Sequence, residues 1–371
     1  MKIKKYLYLI PILFVAPLYA CNDLEEYNVE DYLTTQPIEV AEGEIAFLHI
    51  SDTHGSDRSL YPACDFLNQT DCSFGLLSGD IVATDFMKNK LLACKKPFLM
   101  IPGNHDAYDC GGEYHFRTEM LDPMQHINNV VFGSEQGNYW YRDFGKDGYS
   151  IRVIALDQFQ IDHYSKSERV AASILTQEQI DWFIQTLKDS YNFNGIIIMI
   201  HEGFGNAHIG QRDMSVTNDF ISIYAKDYKN CYDYAGINNA LLIPDIVEAY
   251  LSGENIVGKE YVNANDADII TVTTDFDGAH NNFISYFGGH AHRDMVEHLN
   301  AYPRQLLSLI AFGGYLTGSD LNDLVKTANG EDSFTINLNI IDFKNRRITI
   351  KRLGSKKKVD GTLRESIAFS Y

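Results

Sequence analysis

Five short stretches of the sequence place metal-ligating side chains directly after an apolar run: Ser51-Asp52-Thr53-His54-Gly55, Ser78-Gly79-Asp80, Gly103-Asn104-His105-Asp106, Ile200-His201, and Gly288-Gly289-His290-Ala291-His292. Carboxylates, an amide oxygen and neutral imidazoles suit Mn, Fe, Zn or a related ion, and the absence of cysteine from the set argues against a structural zinc site. In extended chain a spacing of two points the Asp52 and His54 side chains the same way, as two ligands of one ion require. Each stretch alone carries little. An Asp-X-His is common by chance, a Gly-Asn pair is an ordinary turn, and a lone histidine after a strand is usually structural. The recurrence of one design at five places is what points to a site.

The elements that must position these residues are strands ending in chemistry. Phe98-Leu99-Met100-Ile101, bounded by Pro97 and Pro102, fits a strand buried on both faces, and open α/β sheets bind ligands beyond the carboxyl ends of such strands. Ile45–Ile50, Phe74–Leu77, Ile196–Ile200 and Phe283–Phe287 read the same way. Helices near Ser59–Asn68 and Lys88–Ala93 alternate with the first three, as in a parallel α/β arrangement. Tyr139–Phe144 and Tyr149–Leu156 predict a hairpin about Gly145-Lys146-Asp147-Gly148, closed by Asp157 as a turn acceptor. Thr176-Gln177-Glu178-Gln179 is a capping box ahead of Ile180, Phe183, Ile184 and Leu187, which share one helical face. The 88 residues from Glu202 to Gly289 begin rich in tyrosine and hold one clear helix, over Ile243, Ile246, Val247 and Tyr250 and closed by Gly253. They read as an insertion over the site, placed at about 202–268. Phe334, Ile336, Leu338 and Ile340 alternate and pair with Ile348 and Ile350 as a closing hairpin. No internal repeat is visible.

The ordered set Asp-X-His, Gly-Asp, Gly-Asn-His-Asp, a lone His and Gly-His-X-His resembles the signature of the calcineurin-like metallophosphoesterases, over Ile45 to His292. The resemblance implies an α/β fold of two mixed β-sheets packed as a sandwich with helices outside. It also implies a pair of divalent or trivalent metal ions. Asp52, His54 and His292 would hold one; Asn104, His201 and His290 would hold the other; Asp80 would bridge them. Two ions ~3.5–4 Å apart lower the pKa of a shared water to a metal-bound hydroxide and clamp the oxygens of a phosphoryl group. The implied activity is hydrolysis of small phosphate esters, monoesters or diesters. His105 is cast as the residue that protonates the leaving oxygen, with Asp106 either orienting its ring or accepting hydrogen bonds within the turn. Purple acid phosphatases carry an iron-binding tyrosine three residues past the Gly-Asp carboxylate; Ala83 stands there, so no purple chromophore is expected. His208, Arg212 and Asp275 are candidate substrate contacts, set against ordinary loop polarity.

The first twenty residues carry Lys2, Lys4 and Lys5, then an apolar run from Tyr6 to Tyr19 that is short for a membrane span. They predict a signal peptide. Leu18-Tyr19-Ala20-Cys21 resembles a bacterial lipobox, which makes Cys21 the expected lipidation site; Tyr19 departs from that pattern and keeps a soluble secreted form open. Residues 22–44 hold eight acids and no Lys or Arg, so 21–43 reads as a lipidated cysteine and flexible acidic tether before the domain at 44–371. The formal net charge is −19, and −22 without the first twenty residues. Such an excess disfavours nucleic-acid polymers and leaves a small phosphate ester as the expected partner, beside a membrane reached through the lipid. The competing readings are a nuclease or nucleotidase, and a surface binding lipoprotein with a silent metal site that uses its 23 Tyr for contacts. Cys64, Cys72, Cys94, Cys110 and Cys231 lack metal-finger spacing and read as small buried hydrophobes.

Overall fold

A computed structural model of the chain describes residues 28–109, 116–159, 175–203, 241–262, 269–290, 295–299, 302–309, 333–355 and 366–371. Its first half alternates short elements: α1 (Val29–Thr35), β1 (Glu44–Ile50), α2 (Leu60–Gln69), β2 (Phe74–Ser78), α3 (Asp85–Leu92), β3 (Phe98–Ile101), α4 (Asn104–Asp109), a π-helical turn at Arg117–Leu121, and α5 (Asp122–Asn128). The chain continues through β4 (Val131–Phe132), β5 (Trp140–Lys146), β6 (Tyr149–Ala155), α6 (Gln177–Lys188), β7 (Gly195–Met199), α7 (Leu242–Ser252), β8 (Lys259–Val262) and β9 (Ile269–Val272). It closes with β10 (Phe283–Gly288), β11 (Met295–Leu299), β12 (Tyr302–Leu309), β13 (Thr335–Asp342), β14 (Arg347–Gly354) and β15 (Ser366–Ser370).

Two mixed sheets form. The first runs β15-β14-β13-β1-β2-β3 and the second β11-β12-β10-β7-β6-β5-β4, with β8-β9 a separate ribbon. β1, β2 and β3 are mutually parallel, and so are β6, β7, β10 and β12, whereas β13, β14 and β15 pair antiparallel. The packing follows from side-chain alternation along apolar runs. In β7, Ile197 and Met199 join the core shared with the first sheet, while Ile196 and Ile198, with Ile200 beyond them, face the helices α6 and α7. Phe47 of β1 meets Phe287 of β10 edge to face, with ring centroids 5.1 Å apart, and the Trp140 indole N–H donates to the Met100 carbonyl at 3.1 Å across the sandwich.

Local chemistry sets the element ends. The hairpin turns on Asp147-Gly148 alone, both at positive φ (52° and 82°), so Lys146 pairs directly with Tyr149. That two-residue primed turn is tighter than the four-residue loop expected, because its twist matches the strands. Thr176 caps α6 by accepting from the Gln179 N–H at 3.2 Å, but the Gln179 amide turns away from the capping box to bond the Asp157 N–H and C=O at 2.8 and 2.9 Å. Asp157 is itself a turn acceptor, from Phe159 N–H at 2.9 Å. Cys64, Cys72 and Cys94 are buried thiols.

Two expectations need correction. The acidic stretch is not a flexible tether throughout: Val29–Thr35 is helical, with Asn28 accepting from the Glu30 N–H at 3.0 Å, and Val29 and Tyr32 are buried. Val29, Tyr32 and Leu33 share one helical face, and Tyr32 packs edge to face on Phe66 at 5.3 Å. The span expected as an insertion over the site is likewise part of the scaffold where it is described. Ile243, Ile246, Val247 and Tyr250 of α7 are buried against Ile196 and Ile198 on the outer face of the second sheet. The 204–240 stretch, with His208 and Arg212, and the first 27 residues, with Cys21, lie outside the described residues.

One buried group makes stability depend on pH. His49 faces Phe287 inside the sandwich, with Nε2 at 2.9 Å from Ser78 Oγ. Burial pushes its pKa down to about 3, opposed by Asp52 and assisted by Arg352. A histidine held below its unfolded pKa stabilises the fold fully above ~6.5 and loses that contribution as pH falls toward its folded pKa, by about 1.4 kcal/mol per pH unit. Urea titrations at a series of pH values should therefore show a steeper acid loss of stability below ~6.5 in the natural protein than in His49→Gln. Parallel curves for the two would remove His49 as the cause.

Candidate metal centre

The five motif stretches converge at one edge of the sandwich, because β1, β2 and β3 all point their carboxyl ends there, as β7 and β10 do from the facing sheet. The backbone departs sharply from extended geometry as it leaves the strands: Asp52, His54, Asp80, Val82 and His290 adopt φ of 53°, 44°, 51°, 47° and 64°. Left-handed geometry costs a residue bearing Cβ roughly 1 kcal/mol or more, and such strain gathers where surrounding structure holds side chains in a working position. The loops after β1 and β2 hold each other, with Asp52, His54 and Gly55 N–H donating to the carbonyls of Gly79, Asp80 and Ile81 at 3.1, 2.9 and 2.9 Å. The motif glycines are steric necessities. A Cβ on Gly103 would stand 2.2 Å from Asp80 Oδ1, and one on Gly79 2.4 Å from His201 Nδ1.

The donors fall into two groups that share Asp80. His54, Asp80 and His105 form one, and Asp80, His201 and His290 the other, each with its ligand atoms within 4.8 Å of one another. Asp80 Oδ2 lies 3.6 Å from His54 Nε2 and 3.4 Å from His201 Nε2. Its other oxygen accepts from the His105 backbone N–H at 2.8 Å. Asn104 Oδ1 adds a fourth donor to the second group, 3.1 Å from His201 Nε2 and 3.0 Å from His290 Nδ1. The His54 and His105 rings stand 4.7 Å apart at 78°. Asp52 belongs to neither group of three; its carboxylate accepts from the His290 backbone N–H at 3.0 Å. His292 lies outside the described residues.

The site has the charge balance of a place made for cations. Asp80 is buried, yet its Oδ2 has no hydrogen-bond partner, and an oxygen so placed is costly unless something positive meets it. Burial by itself would raise the Asp80 pKa, but His201, His54 and His105 outweigh it and hold the carboxyl well below the usual range. Burial opposes charge on His201 in turn, and Asp80 and Asp52 overcome it to raise that pKa to about 10. A proton and a metal ion answer the same need. The ring is oriented from behind: the Ser78 carbonyl lies 2.7 Å from His201 Nδ1, so Nδ1–H donates there and Nε2, facing Asp80 and Asn104, is the nitrogen that either a proton or an ion can occupy. The donor set and the orphaned Asp80 oxygen thus fit a pair of metal ions.

The sequence profile of the calcineurin-like phosphoesterases matches residues 45–350, which takes in every one of these stretches. The chain belongs to the calcineurin-like phosphoesterase family. No curated protein sequence matches it. Among solved structures, a dimetal phosphatase from Danio rerio superposes with TM-score 0.50 at 12% identity, covering 88% of this chain and 99% of that one. GAP50, the anchor in the inner membrane complex of Plasmodium, gives TM-score 0.44 at 11% identity, with 88% and 89% covered. Haemophilus influenzae NAD nucleotidase gives 0.38 at 13%, covering 87% of this chain and 53% of its own. At 12% identity the likeness to the dimetal phosphatase speaks for the fold alone.

Within this calcineurin-like phosphoesterase, some expected site residues do other work. Asp106 does not orient the His105 ring: its carboxylate accepts from Gly103 N–H at 2.8 Å, Val82 N–H at 2.7 Å and Ile81 N–H at 2.9 and 3.1 Å. It clamps the loops after β2 and β3 together. Burial and the Asp80 charge push its pKa up to about 7, against those same N–H groups. Asp275 stands apart from the donor groups. It is exposed and paired with Lys188 at 2.7 Å, at the end of α6 that leads into the amino end of β7, the wrong edge of the sheet. Two residues escaped the sequence reading. Gln158 Oε1 accepts from both His201 and Glu202 N–H, at 2.8 and 2.7 Å, and splints the segment that carries His201. Glu202 is buried beside the second donor group, and burial lifts its pKa to about 8, with His201 opposing and Asp80 assisting. Neither has a signal in the sequence beyond adjacency to a strand end.

Proposed function

We propose that the protein is an exported, lipid-anchored hydrolase of small phosphate esters that works with two bound metal ions. The observation that carries this reading is the buried Asp80 Oδ2, which accepts no hydrogen bond and stands between His54 Nε2 and His201 Nε2. In this reading Asp52, His54 and His292 would hold one ion, Asn104, His201 and His290 the other, and Asp80 would be shared by both. Bound there, the ions would lower the pKa of a water and offset charge on the phosphoryl oxygens.

The rest of the chemistry belongs to the chain. Asp80 sets the distance between the two donor groups because both share its carboxylate. Ser78 keeps the His201 proton on Nδ1, away from the substrate side. His105 stands beside the His54 ring at the start of α4, and in this reading it would give a proton to the departing alkoxide. Asp106 holds the turn that aims it. Export rests on Lys2, Lys4, Lys5 and the apolar run to Tyr19, and anchoring on Cys21; among the described residues no helix is long and apolar enough to cross a membrane.

The deciding experiment is a screen of the metal-reconstituted protein, lacking residues 1–21, on chromogenic monoesters, diesters and a panel of nucleotides. Turnover that disappears on chelation supports the hydrolase. Two bound metals with no turnover on any of them would sink it in favour of a binding lipoprotein. Fractionation of cells making the full chain or Cys21→Ser tests the anchor: an unchanged membrane fraction in the variant rules out Cys21 as the tether.

A further inference from the structure

Glu202 stands outside the ligand set just described, yet it is placed as though the set needed it. It follows His201 directly, is 3% exposed, and its Oε1 has no hydrogen-bond partner. Its backbone is fixed at both polar groups, N–H donating to Gln158 Oε1 at 2.7 Å and C=O accepting from Gln158 Nε2 at 3.0 Å. The backbone that carries the carboxylate is therefore held in place. The group it faces is the His290 ring, with Oε1 3.8 Å from Nε2.

The two nitrogens of His290 look in different directions. Nδ1 is 3.0 Å from Asn104 Oδ1, on the side where His201 Nε2 also meets that oxygen at 3.1 Å. Nε2 looks back at Glu202. Glu202 itself is not among the residues whose ligand atoms cluster within 4.8 Å about Asp80, His201 and His290, so it stands behind the ring and not beside a bound ion. An imidazole offers a lone pair at one nitrogen only when its proton sits on the other, and which nitrogen that is depends on the hydrogen bond made at the far side. Ser78 performs this for His201. A His290 that ligates through Nδ1 would carry its proton on Nε2, the nitrogen that faces Glu202.

We propose that Glu202 is the positioning residue for His290: it accepts the Nε2–H, which fixes the tautomer with its Nδ1 lone pair toward the second metal ion and holds the ring at that angle. The inference rests on His290 being a metal ligand, as in the function proposed above. The 3.8 Å between Glu202 Oε1 and His290 Nε2 is ion-pair distance, within ~1 Å of hydrogen-bond length. Carboxylate partners of this kind are worth roughly 10–100-fold in metal affinity.

The test uses Mn(II) alone, titrated calorimetrically into metal-stripped protein, so that binding is read without catalysis. Glu202→Ala should lose roughly 10–100-fold in affinity for one of two equivalents and leave the other unchanged. Glu202→Gln, whose amide oxygen still accepts the Nε2–H, should recover most of that loss, which a purely packing role would not distinguish. In a His290→Ala background, where that equivalent is already weakened, Glu202→Ala should cost nothing further. Wild-type affinity for both equivalents in Glu202→Ala overturns the assignment and leaves the metal centre standing, as does an equal loss with and without His290. Retention of both equivalents by His290→Ala would overturn the metal-ligand reading and this inference with it.

Discussion

Asp80→Ala should release both metal ions together. Both donor groups contain this one carboxylate, and Oδ2 lies within 3.6 Å of His54 Nε2 and 3.4 Å of His201 Nε2. Two unit charges about 4 Å apart repel by about 4 kcal/mol at an effective dielectric of ~20, and two divalent ions by about four times as much before their surroundings respond. In the proposed centre Asp80 would supply the negative charge that both ions share. Loss of an outer partner of a ligand costs ~10–100-fold in affinity, so loss of the shared ligand should cost more than ~100-fold for each ion. Asp80→Asn is the informative companion. It keeps an oxygen to accept from the His105 backbone N–H, a bond of 2.8 Å in the natural protein, and removes the charge. If the affinity loss is electrostatic the two variants will fall together; if the loop geometry matters more, the asparagine will be spared. Metal content after dialysis decides the matter, and two retained equivalents in Asp80→Ala would end the bridging assignment.

His105→Ala should keep its metals and lose much of its turnover on alkyl phosphates. The substitution leaves the backbone N–H that holds Asp80 Oδ1, and the Asp106 clamp on Gly103, Ile81 and Val82 is also untouched. The group that disappears is an imidazole 4.7 Å from the His54 ring. An alkoxide leaves poorly without a proton, and general acid catalysis is typically worth ~10²–10⁴-fold. Nitrophenyl esters, whose leaving group needs no proton, should be hurt far less. That contrast between substrates separates an acid from a ligand. Because His105 also falls within ligand distance of His54 and Asp80, the opposite result is informative: one lost metal with an equal fall on both substrate types would make His105 part of the cation site. Unchanged alkyl phosphate hydrolysis with both metals present would remove it from the mechanism.

The sequence by itself determined which residues could bind metal and that they stand just past strands. Runs such as Phe98–Ile101 and Ile196–Ile200 are apolar at every position, a pattern suited to burial on both faces, and the residues after each run must lie at a strand end. The order of the motifs carried the family, since donor types and glycines recur at the spacings that its chemistry needs. The sequence also marked the α6 start, where Thr176 caps as expected.

The tertiary structure decided everything that depends on contacts between segments far apart in the chain. Local pattern does not say that β1 lies between β2 and β13, because that pairing joins Leu48 to Leu338. It does not reveal α1 either: an acidic stretch becomes helical here because Val29 and Tyr32 find a buried face to occupy. Asp106 read equally as a partner of His105 or as a turn acceptor, and only the approach of the loop after β2 gives its carboxylate Ile81 and Val82 N–H to hold. Glu202 was silent for the same reason. A glutamate after a strand is an ordinary surface residue until β10 is laid beside β7 and carries the His290 ring to within 3.8 Å of it. Donor types are local properties of a chain; partners are properties of the fold, and hydrogen-bond reach of ~3 Å leaves no room to infer them from spacing along the sequence.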